Sequence, residues 1–253
     1  MSIALAPAVP LEPDDPNLLA ARLSAAAPAL DLFQRVAAAR AAVGGPIVFT
    51  TSFGLEDQTI GHAILRQALD IDIVTLDTGR LFPQTHDVWA QTERRYGRRI
   101  RAIVPERHRL EALIERQGSD GFRASVEARR ACCHVRKVEP LNRALAGAQG
   151  WITGLRADQS EHRADVAFAE FDAARSLIKI NPLFDWTRDR AADFTREHGV
   201  PVNTLHASGF LSIGCAPCTR AVAPGEPERA GRWWWEAEGK TECGLHVREA
   251  VHS

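Results

Sequence analysis

The sequence lacks the features that would assign a membrane, secreted or nucleic-acid-binding role at once. Its 253 residues have a formal net charge of only −1, so no overall field attracts nucleic acid or an anionic membrane. No apolar run approaches the ~20 residues that cross a bilayer, and residues 1–17 lack the basic start and apolar stretch of a secretory signal. We therefore expect a soluble, cytoplasmic protein without nucleic-acid or membrane partners. Thiols stay reduced in that compartment, so its five cysteines are expected to bind metal or react rather than form disulfides.

The best-known nucleotide-binding signatures are also missing. The chain contains neither the Gly-Lys-Ser/Thr of a Walker loop nor a G-x-G-x-x-G run, and it has no internal repeat or low-complexity linker. What it has is an ordinary globular composition, with 45% hydrophobic and 25% charged residues. This length and composition suit one substantial core, with room for a functional tail.

Short apolar runs alternate with helical segments through most of the chain. We expect one Ala-rich helix over residues 18–43 and one continuous helix over residues 126–148. The predicted strands are residues 47–50, 71–76 and 100–104 and the run that leads into Gly154. The alternation predicts the α/β fold class, with a doubly wound, mainly parallel sheet. From about Ala207 onward the alternation stops, and we expect irregular chain.

Three predicted strands end in small, polar or basic residues. In doubly wound sheets ligands bind beyond the carboxyl ends of the strands, so one crevice would gather these three loops. The loop that begins at Ser52 precedes a helix, and its backbone N–H groups suit an anion. The residues concerned are Ser52, Gly54, Thr78, Gly79, Gly154 and Arg156.

Four of the five cysteines form two close pairs. Cys132 and Cys133 are adjacent, and Cys215 and Cys218 form a C-x-x-C loop. Four thiolates match either a tetrahedral zinc site or a four-iron cluster, and adjacent cysteines favour the cluster. The alternative is that the adjacent pair is simply packed in a helix, since free cysteine is often buried.

Cys243 is the unpaired cysteine, near the C-terminus. Basic residues that are close in sequence, Arg229, Arg232 and His246, would lower the pKa of its thiol and favour the nucleophilic thiolate. An incidental surface cysteine is the alternative.

Two basic residues follow the adjacent cysteines on the same predicted helix. Lys137 lies four residues after Cys133 and so on the same helix face, where its charge would offset that of a thiolate-ligated centre. Arg136 beside it would reach a bound anion. A basic stripe on an exposed helix is the alternative.

These segments together resemble the assimilatory sulfonucleotide reductases. The resemblance covers about residues 46–246 and rests on eight motifs in order. They are Ser52-Phe53-Gly54-Leu55-Glu56, Leu76-Asp77-Thr78-Gly79-Arg80-Leu81-Phe82-Pro83, Cys132-Cys133-x-x-Arg136-Lys137, Thr153-Gly154-x-Arg156-x-x-Gln159-Ser160, Ile180-Asn181-Pro182-Leu183, Cys215-x-x-Cys218, Gly225-x-x-x-Arg229-x-Gly231-Arg232-Trp233-Trp234-Trp235-Glu236 and Glu242-Cys243-Gly244-Leu245-His246. Both cysteine pairs are present, as in the bacterial-type adenylyl-sulfate (APS) reductases.

The resemblance implies a fold, a cofactor and a reaction. The sheet would be like that of the PP-loop adenine nucleotide hydrolases, with an irregular C-terminal catalytic tail. One 4Fe–4S cluster per subunit would be held by Cys132, Cys133, Cys215 and Cys218. Cys243 would attack the sulfur of APS and form a Cys S-sulfo intermediate, from which thioredoxin, or a glutaredoxin-like donor, would release sulfite during sulfate assimilation.

The resemblance also implies roles for the basic residues and the loops, and a division of the chain. The sulfate would be neutralised by Lys137, Arg229 and Arg232, with Arg136 and His246. The adenylate would be held by the loops at Ser52 and Gly54, Thr78 and Gly79, and Gly154 and Arg156. Residues 1–43 would be an N-terminal extension and helix, residues 44–206 the nucleotide-binding α/β domain, and residues 207–253 a segment with cluster ligands and the mobile catalytic tail. A homo-oligomer is compatible with this division.

Other functions remain open at this stage. Some cluster-bearing members of the family accept the 3′-phosphorylated nucleotide (PAPS), so a PAPS-specific or dual enzyme is one alternative. A PP-loop ATP pyrophosphatase is another, although Phe53, Glu56 and Asp57 depart from the Ser-Gly-Gly-x-Asp-Ser loop of those enzymes. A zinc-stabilised nucleotide-binding module would use four cysteines but would leave Cys243 without a role.

Overall fold

A computed structural model describes residues 15–160 and 163–236 of the chain. Its α-helices are α1 (Pro16–Ala26), α2 (Leu32–Ala42), α3 (Leu55–Arg66), α4 (Pro83–Tyr96), α5 (Arg107–Gln117), α6 (Val126–Cys133), α7 (Glu139–Leu145) and α8 (Arg188–Glu197). Its strands are β1 (Ile47–Thr51), β2 (Asp72–Leu76), β3 (Arg101–Ile103), β4 (Gly150–Ile152), β5 (Ala169–Asp172) and β6 (Leu177–Ile180).

The six strands of the described residues form one sheet in the order β3-β2-β1-β4-β6-β5. All neighbouring pairs are parallel except β5 and β6. Phe49 of β1 stands beside Ile73 of β2 on one side and Ile152 of β4 on the other. The strand order reverses direction between β1 and β4, which is the switch point where ligands bind in doubly wound sheets. The predicted α/β fold, with a mainly parallel sheet, is confirmed.

The sheet is covered on both faces, because successive side chains of a strand point to opposite sides. Phe49 and Ile152 belong to the larger core, which also contains Val36 of α2. Val48 and Trp151, one position earlier on the same strands, belong to a smaller core on the other face. Because β1 and β4 are buried on both faces, their sequences are continuously apolar rather than alternating.

The Ala-rich segment near the N-terminus forms two helices rather than the single predicted one. Ala27–Ala29 is a short 3₁₀ helix that contains Pro28, and Leu30 after it is extended. Proline cannot donate a backbone hydrogen bond to the preceding turn, so the helix ends there. Asp31 then caps α2 and exchanges hydrogen bonds with Gln34 in a capping box. The prediction of one helix over residues 18–43 was therefore wrong at this break.

The helix predicted over residues 126–148 is also interrupted. α6 ends at Cys133, and His134–Val138 forms a π-helix before α7 begins. Pro140 lies at the start of α7 and lacks the N–H that would bond to the carbonyl of Arg136, which favours a wider turn here. π-bulges often occur at functional sites, and this one separates the adjacent cysteines from the rest of the helix.

No helix among the described residues combines the length and the apolar character that a bilayer span requires.

Candidate active site

A large cavity lies at the carboxyl ends of β1, β2 and β4. Ser52, Gly54, Thr78 and Gly154 line it from the three loops that follow these strands. Its far wall comes from the π-helix and the C-terminal segment, through Lys137, Arg229 and Arg232. The parallel sheet thus brings together residues that are up to 180 positions apart, as the switch-point prediction required.

The loop after β1 lines this cavity, and its backbone conformation leaves the N-terminus of α3 accessible from it. Phe53 has a φ of 59°, an uncommon value for a residue with a side chain, and its buried ring stacks on Trp89 at a centroid distance of 5.7 Å. Gly54 is the N-cap of α3 and provides no side-chain hydrogen bond to the helix. The first N–H groups of α3 therefore remain available to an anion.

Asp57, in the first turn of α3, fixes the same loop through hydrogen bonds. Its Oδ2 accepts hydrogen bonds from the backbone N–H of Ser52 (2.6 Å) and from the Ser52 hydroxyl (2.8 Å). Burial raises the pKa of Asp57 to about 6, although the hydrogen bonds from Ser52 act in the opposite direction. Asp57 was not predicted as a site residue, because from sequence it looks like any acidic residue in a first helical turn.

The loop after β4 approaches α3 closely, and Gly154 makes this possible. A Cβ atom at Gly154 would lie 2.5 Å from Asp57 Oδ1 and 3.1 Å from Glu56 Cβ. The first distance is shorter than real Cβ contacts and the second is tighter than most of them, so only glycine fits without movement. Gly154 therefore lines the cavity as predicted.

Arg156 takes a different place from the one predicted. It is fully buried, and its guanidinium lies 2.8 Å from Glu56, 2.9 Å from Glu228 and 3.1 Å from Asp158. In the described part of the chain it does not line the cavity. Its charge is directed to carboxylates of α3 and the C-terminal segment, so it joins these elements behind the loop.

The loop after β2 connects the large cavity to the C-x-x-C segment. The Thr78 hydroxyl lies 3.3 Å from Cys215 Sγ, and Arg136 Nη1 donates a 2.6 Å hydrogen bond to the Thr78 carbonyl. Gly79 has a left-handed φ of 68° and donates its N–H to the Asp77 carboxylate. Among the described residues, Arg136 and Gly79 shape this turn and do not line the large cavity; the anion contact of Arg136 stays a prediction.

A second, smaller cavity contains the thiols. Within the described residues the four cysteines form no disulfide, and all four line this one space. Cys132 and Cys133 come from the end of α6, and Cys215 and Cys218 flank the 3₁₀ turn Ala216–Cys218. A hydrogen bond from the Ala216 N–H to the Arg80 carbonyl (2.8 Å) fixes this turn beside the β2 loop. The two pairs therefore meet as predicted.

Basic residues lie near the thiols, and the pKa values of the individual thiols shift in different directions. The charge of Lys137 and the Thr78 hydroxyl outweigh burial and lower the pKa of Cys215. Burial and the neighbouring Cys215 raise the pKa of Cys218 to about 12. Burial also raises the pKa of Cys132. A metal centre bound here would favour the deprotonated thiolates.

Several buried hydrogen-bond donors near the thiols have no acceptor within the described residues, as expected where a sulfur-rich group would bind. Arg136 lines the thiol cavity, and among the described residues its buried Nε has no hydrogen-bond partner. The same holds for Nε1 of Trp233 and Trp235, which pack with Cys215 and Cys218. A cluster with sulfide acceptors would satisfy such donors, so the residues fit the group.

Zinc and iron–sulfur centres require different arrangements of their thiolate ligands. Within residues 15–160 and 163–236, no three His, Cys, Asp or Glu side chains converge as the ligands of a single metal ion do. Tetrahedral zinc needs four sulfurs at about 2.3 Å from one point. In a 4Fe–4S cluster each thiolate binds a different iron, so the sulfurs surround a larger body. The arrangement is compatible with a cluster.

Lys137 lines both cavities and connects them. Arg232 stands on the large-cavity side, almost buried, with its guanidinium 4.8 Å from the centre of the Trp233 ring. Its space exists because residue 214 is glycine: a Cβ there would lie 2.3 Å from Arg232 Nη2. Cation and thiol groups therefore adjoin, which is the arrangement that an anionic ligand beside a metal centre requires.

Sequence reasoning missed two further residues of the large cavity. Arg163 and Glu228 both line it, Arg163 being buried and hydrogen-bonded to Gln159. Both lie within or beside quoted motifs, but nothing in local spacing shows which way they point. Two predicted residues, Cys243 and His246, lie outside the described residues.

Known proteins similar to this chain agree on one family. The phosphoadenosine phosphosulfate reductase domain model matches residues 46–221. An adenosine 5′-phosphosulfate reductase of Agrobacterium fabrum is 55% identical over 230 residues, which cover 91% of this chain and 88% of that one. An adenosine 5′-phosphosulfate reductase of Allochromatium vinosum is 54% identical over 203 residues, which cover 80% of this chain and 79% of that one.

A solved structure supports the fold. The phosphoadenylyl-sulfate (PAPS) reductase of Candida auris superimposes with a TM-score of 0.68 at 24% identity, covering 85% of this chain and 100% of that one. This likeness supports the α/β fold described above. On the family model and the identity to these bacterial enzymes, the chain belongs to the phosphoadenosine phosphosulfate reductase family.

Proposed function

We propose that this chain is an APS reductase of assimilatory sulfate reduction, which converts APS to sulfite and AMP. The observation that carries the proposal is that Lys137, Arg229 and Arg232 line the same cavity as the loops that follow β1, β2 and β4. One end of this cavity suits an adenylate, and the other offers cations to a sulfate. The bacterial relatives named adenosine 5′-phosphosulfate reductase, at 54–55% identity, support the substrate.

The reaction begins with the thiolate of Cys243. Its sulfur attacks the sulfur of APS, a new S–S bond forms, and the bond from that sulfur to the bridging oxygen breaks as AMP leaves. A thioredoxin thiolate then attacks Sγ of the Cys243–S–SO₃⁻ adduct and expels sulfite. The second thioredoxin thiol resolves the mixed disulfide and restores the Cys243 thiol. The dithiol supplies the two electrons that reduce sulfate to sulfite, and a glutaredoxin-like donor would serve equally.

The chain's own residues have to overcome the repulsion between two anions. Lys137, Arg229 and Arg232 neutralise the sulfate before and during attack, together with His246. The α3 N-terminus and the turn at Thr78 and Gly79 hold the adenylate half. Arg136 and Arg156 contribute indirectly, because they fix the Thr78 carbonyl and the β4 loop.

A 4Fe–4S cluster would be held by Cys132, Cys133, Cys215 and Cys218. When bound, it supplies a charged centre that fixes the end of α6 and tunes the field at Lys137. Thioredoxin provides both electrons, so the reaction needs no change in the oxidation state of iron. We place the enzyme in the cytoplasm, where thioredoxin is kept reduced.

Sulfite release by anaerobically purified protein tests this proposal. Wild type should be brown, contain iron and sulfide, and release sulfite and AMP from APS with thioredoxin. Cys243→Ser should retain iron and AMP binding but release no sulfite. Cys218→Ser is the matched control, since the same change at a ligand should lose iron.

Several results would contradict the proposal. A colourless zinc protein favours the non-catalytic nucleotide-binding module, and ATP hydrolysis to AMP and pyrophosphate favours a PP-loop pyrophosphatase. A higher kcat/KM with PAPS than with APS assigns the enzyme to the 3′-phosphorylated substrate. Loss of iron in Cys243→Ser would make this residue a ligand rather than the nucleophile.

A further inference from the structure

A buried ion pair joins the last described residue of the C-terminal segment to the cysteine helix. Arg129 Nε lies 2.7 Å from Glu236 Oε1, and Arg129 Nη2 lies 3.0 Å from Glu236 Oε2. The two side chains are only 1% and 4% exposed. Two parallel hydrogen bonds of this kind fix both distance and orientation.

Arg129 also contacts the thiol cavity. It precedes Cys133 by four residues, so both side chains lie on one face of α6, and both line the cavity. Its guanidinium stands 4.5 Å from the centre of the Trp233 ring. One side chain therefore contacts the cysteine helix, the thiol cavity and the end of the C-terminal segment.

The chain turns sharply where it meets this arginine. Trp233 is 1% exposed and has a φ of 44°, a strained value that persists only where surrounding contacts determine it. The Glu236 N–H donates a 3.0 Å hydrogen bond to the Trp233 carbonyl and closes the turn. The direction in which the chain leaves residue 236 is thus set by the turn and the ion pair together.

A nearby ion pair of the same segment is far more exposed. Arg220 and Glu226 pair at 2.8 Å, but their side chains are 37% and 34% exposed. An exposed pair contributes little, whereas a buried pair is better explained by the specific geometry it fixes than by stability. What the Arg129–Glu236 pair fixes is the start of the chain that leads to Cys243.

Chain length links Glu236 to the proposed nucleophile. Seven residues separate the two positions, and a fully extended chain of that length spans at most about 25 Å. We propose that Arg129 and Glu236 are positioning residues for Cys243: they hold residue 236 on the cysteine helix, α6, and so limit the nucleophile to the reach of the chain from this anchor. This inference rests on the proposed function, because it needs Cys243 to react with APS.

The confinement has a kinetic consequence. A tethered group reacts at an effective concentration that falls as its anchor point is released, and small misplacements of a reacting group cost large factors in rate. Release of Glu236 should therefore slow the attack of Cys243. It should leave nucleotide binding unchanged, since among the described residues neither member of this pair lines the cavity formed by the loops at Ser52, Thr78 and Gly154.

A single-turnover experiment on the iron-loaded protein tests the proposal. Wild type, Glu236→Gln and Arg129→Lys are mixed with APS without thioredoxin, and the Cys243 S-sulfo adduct is quantified by mass spectrometry over time. Glu236→Gln keeps the shape of the side chain but not its charge, and Arg129→Lys keeps the charge but not the two-pronged contact. Glu226→Gln breaks the exposed pair of the same segment and is the matched control.

Both variants of the buried pair should form the adduct at least about tenfold more slowly than wild type. Their dissociation constants for AMP should stay within about twofold of the wild-type value, and their iron content and visible spectrum should be unchanged. Glu226→Gln should match wild type in every measurement. Glu236→Asp, which restores the charge at a shorter reach, should recover part of the rate.

Three outcomes would overturn the inference. Adduct formation at the wild-type rate in Glu236→Gln and Arg129→Lys means that the pair does not position Cys243. Loss of iron in both variants, in step with the loss of rate, assigns the pair to holding the cysteine helix instead. A wild-type protein that forms no adduct overturns the proposed function as well, which separates the two failures.

Discussion

The carboxylate of Asp57 accepts both hydrogen bonds that Ser52 can donate toward it, one from the backbone at 2.6 Å and one from the hydroxyl at 2.8 Å. The loop after β1 is therefore shaped by a buried carboxyl group that comes from the helix it precedes. Burial raises the pKa of Asp57 from 3.8 to about 6, so this charge is lost within an accessible pH range.

The first prediction is a pH-dependent stability that belongs to Asp57. Its folded-state pKa lies above the unfolded value, so the folded protein binds the proton more tightly between about pH 4 and pH 6. The free energy of unfolding contributed by Asp57 therefore falls as the pH rises through this window, by on the order of 3 kcal/mol, and is level above it. Asp57→Asn removes this titration, so the variant should gain about 1 kcal/mol relative to wild type between pH 5 and pH 7 in urea unfolding.

Ser52→Ala provides the control for that measurement. It removes one hydrogen bond that lowers the pKa of Asp57 and keeps the carboxylate, so its pH dependence should persist and extend to higher pH. An Asp57→Asn protein whose stability relative to wild type is the same at pH 5 and pH 7 would show that Asp57 is not the titrating group.

The second prediction concerns the close approach of the β4 loop to α3. In Gly154→Ala the new Cβ would lie 2.5 Å from Asp57 Oδ1, so the loop or the N-terminus of α3 must move. Both line the large cavity, and we expect AMP affinity to fall by about tenfold or more, measured by titration calorimetry. Gly44→Ala is the matched control, because a Cβ at Gly44 meets no atom within 4 Å. Equal AMP affinity in both variants would remove Gly154 from the nucleotide site.

The third prediction concerns Arg232. In Gly214→Ala the new Cβ would lie 2.3 Å from Arg232 Nη2, and the guanidinium, as the end of a flexible side chain, moves more easily than backbone. The fold should persist while a cation leaves the sulfate end of the cavity. We expect kcat with APS to fall by roughly 10- to 100-fold, with AMP affinity little changed, since AMP carries no sulfate.

Arg232→Met removes the guanidinium directly, and its kcat with APS is the value with which Gly214→Ala should be compared. If Gly214→Ala lowers kcat and Arg232→Met does not, the effect of residue 214 acts through something other than this guanidinium. If neither lowers kcat, Arg232 does not contact the sulfate during the reaction.

The sequence predicted those parts of the molecule that depend on local patterns. The apolar runs predicted as strands at residues 47–50 and 71–76 form β1 and β2, because short apolar runs suit strands that are buried on both faces. The strand-end loops then met at one edge, because parallel strands align their carboxyl ends. The two cysteine pairs meet through tertiary contacts, among them the hydrogen bond from the Ala216 N–H to the Arg80 carbonyl beside the β2 loop.

Contacts between distant residues could not be predicted in this way. Arg156 was expected in the cavity, but its partners Glu56 and Glu228 are 100 and 72 positions away in the chain, and only the fold shows that they meet it. The π-helix after Cys133 depends on Pro140 and on tertiary packing. The spacing of apolar residues along the chain does not predict either effect. The raised pKa of Asp57 follows from its burial, and the residue type alone does not show that it is buried.

The last prediction concerns the N-terminal helices, which lie outside the motifs. Arg35 of α2 is 3% exposed and pairs with Asp185 through two contacts of 2.6 and 2.7 Å. It also donates hydrogen bonds to the carbonyls of Ala27 and Pro182, both at 3.0 Å. This guanidinium therefore ties α2 to the segment after β6, and loss of its carboxylate partner leaves a buried charge uncompensated.

We expect Asp185→Asn to lower the free energy of unfolding by about 2 kcal/mol, as for a hydrogen-bonded charge whose carboxylate is partly exposed. Asp193→Asn is the matched control, because Asp193 pairs with Arg196 on the surface, where the side chains are 65% and 76% exposed, and such pairs contribute less than about 1 kcal/mol. Urea midpoints at an unchanged m-value would measure both. Equal, small losses in the two variants would mean that α2 is held by its apolar face alone, through residues such as Val36 and Ala39, and that the ion pair is dispensable.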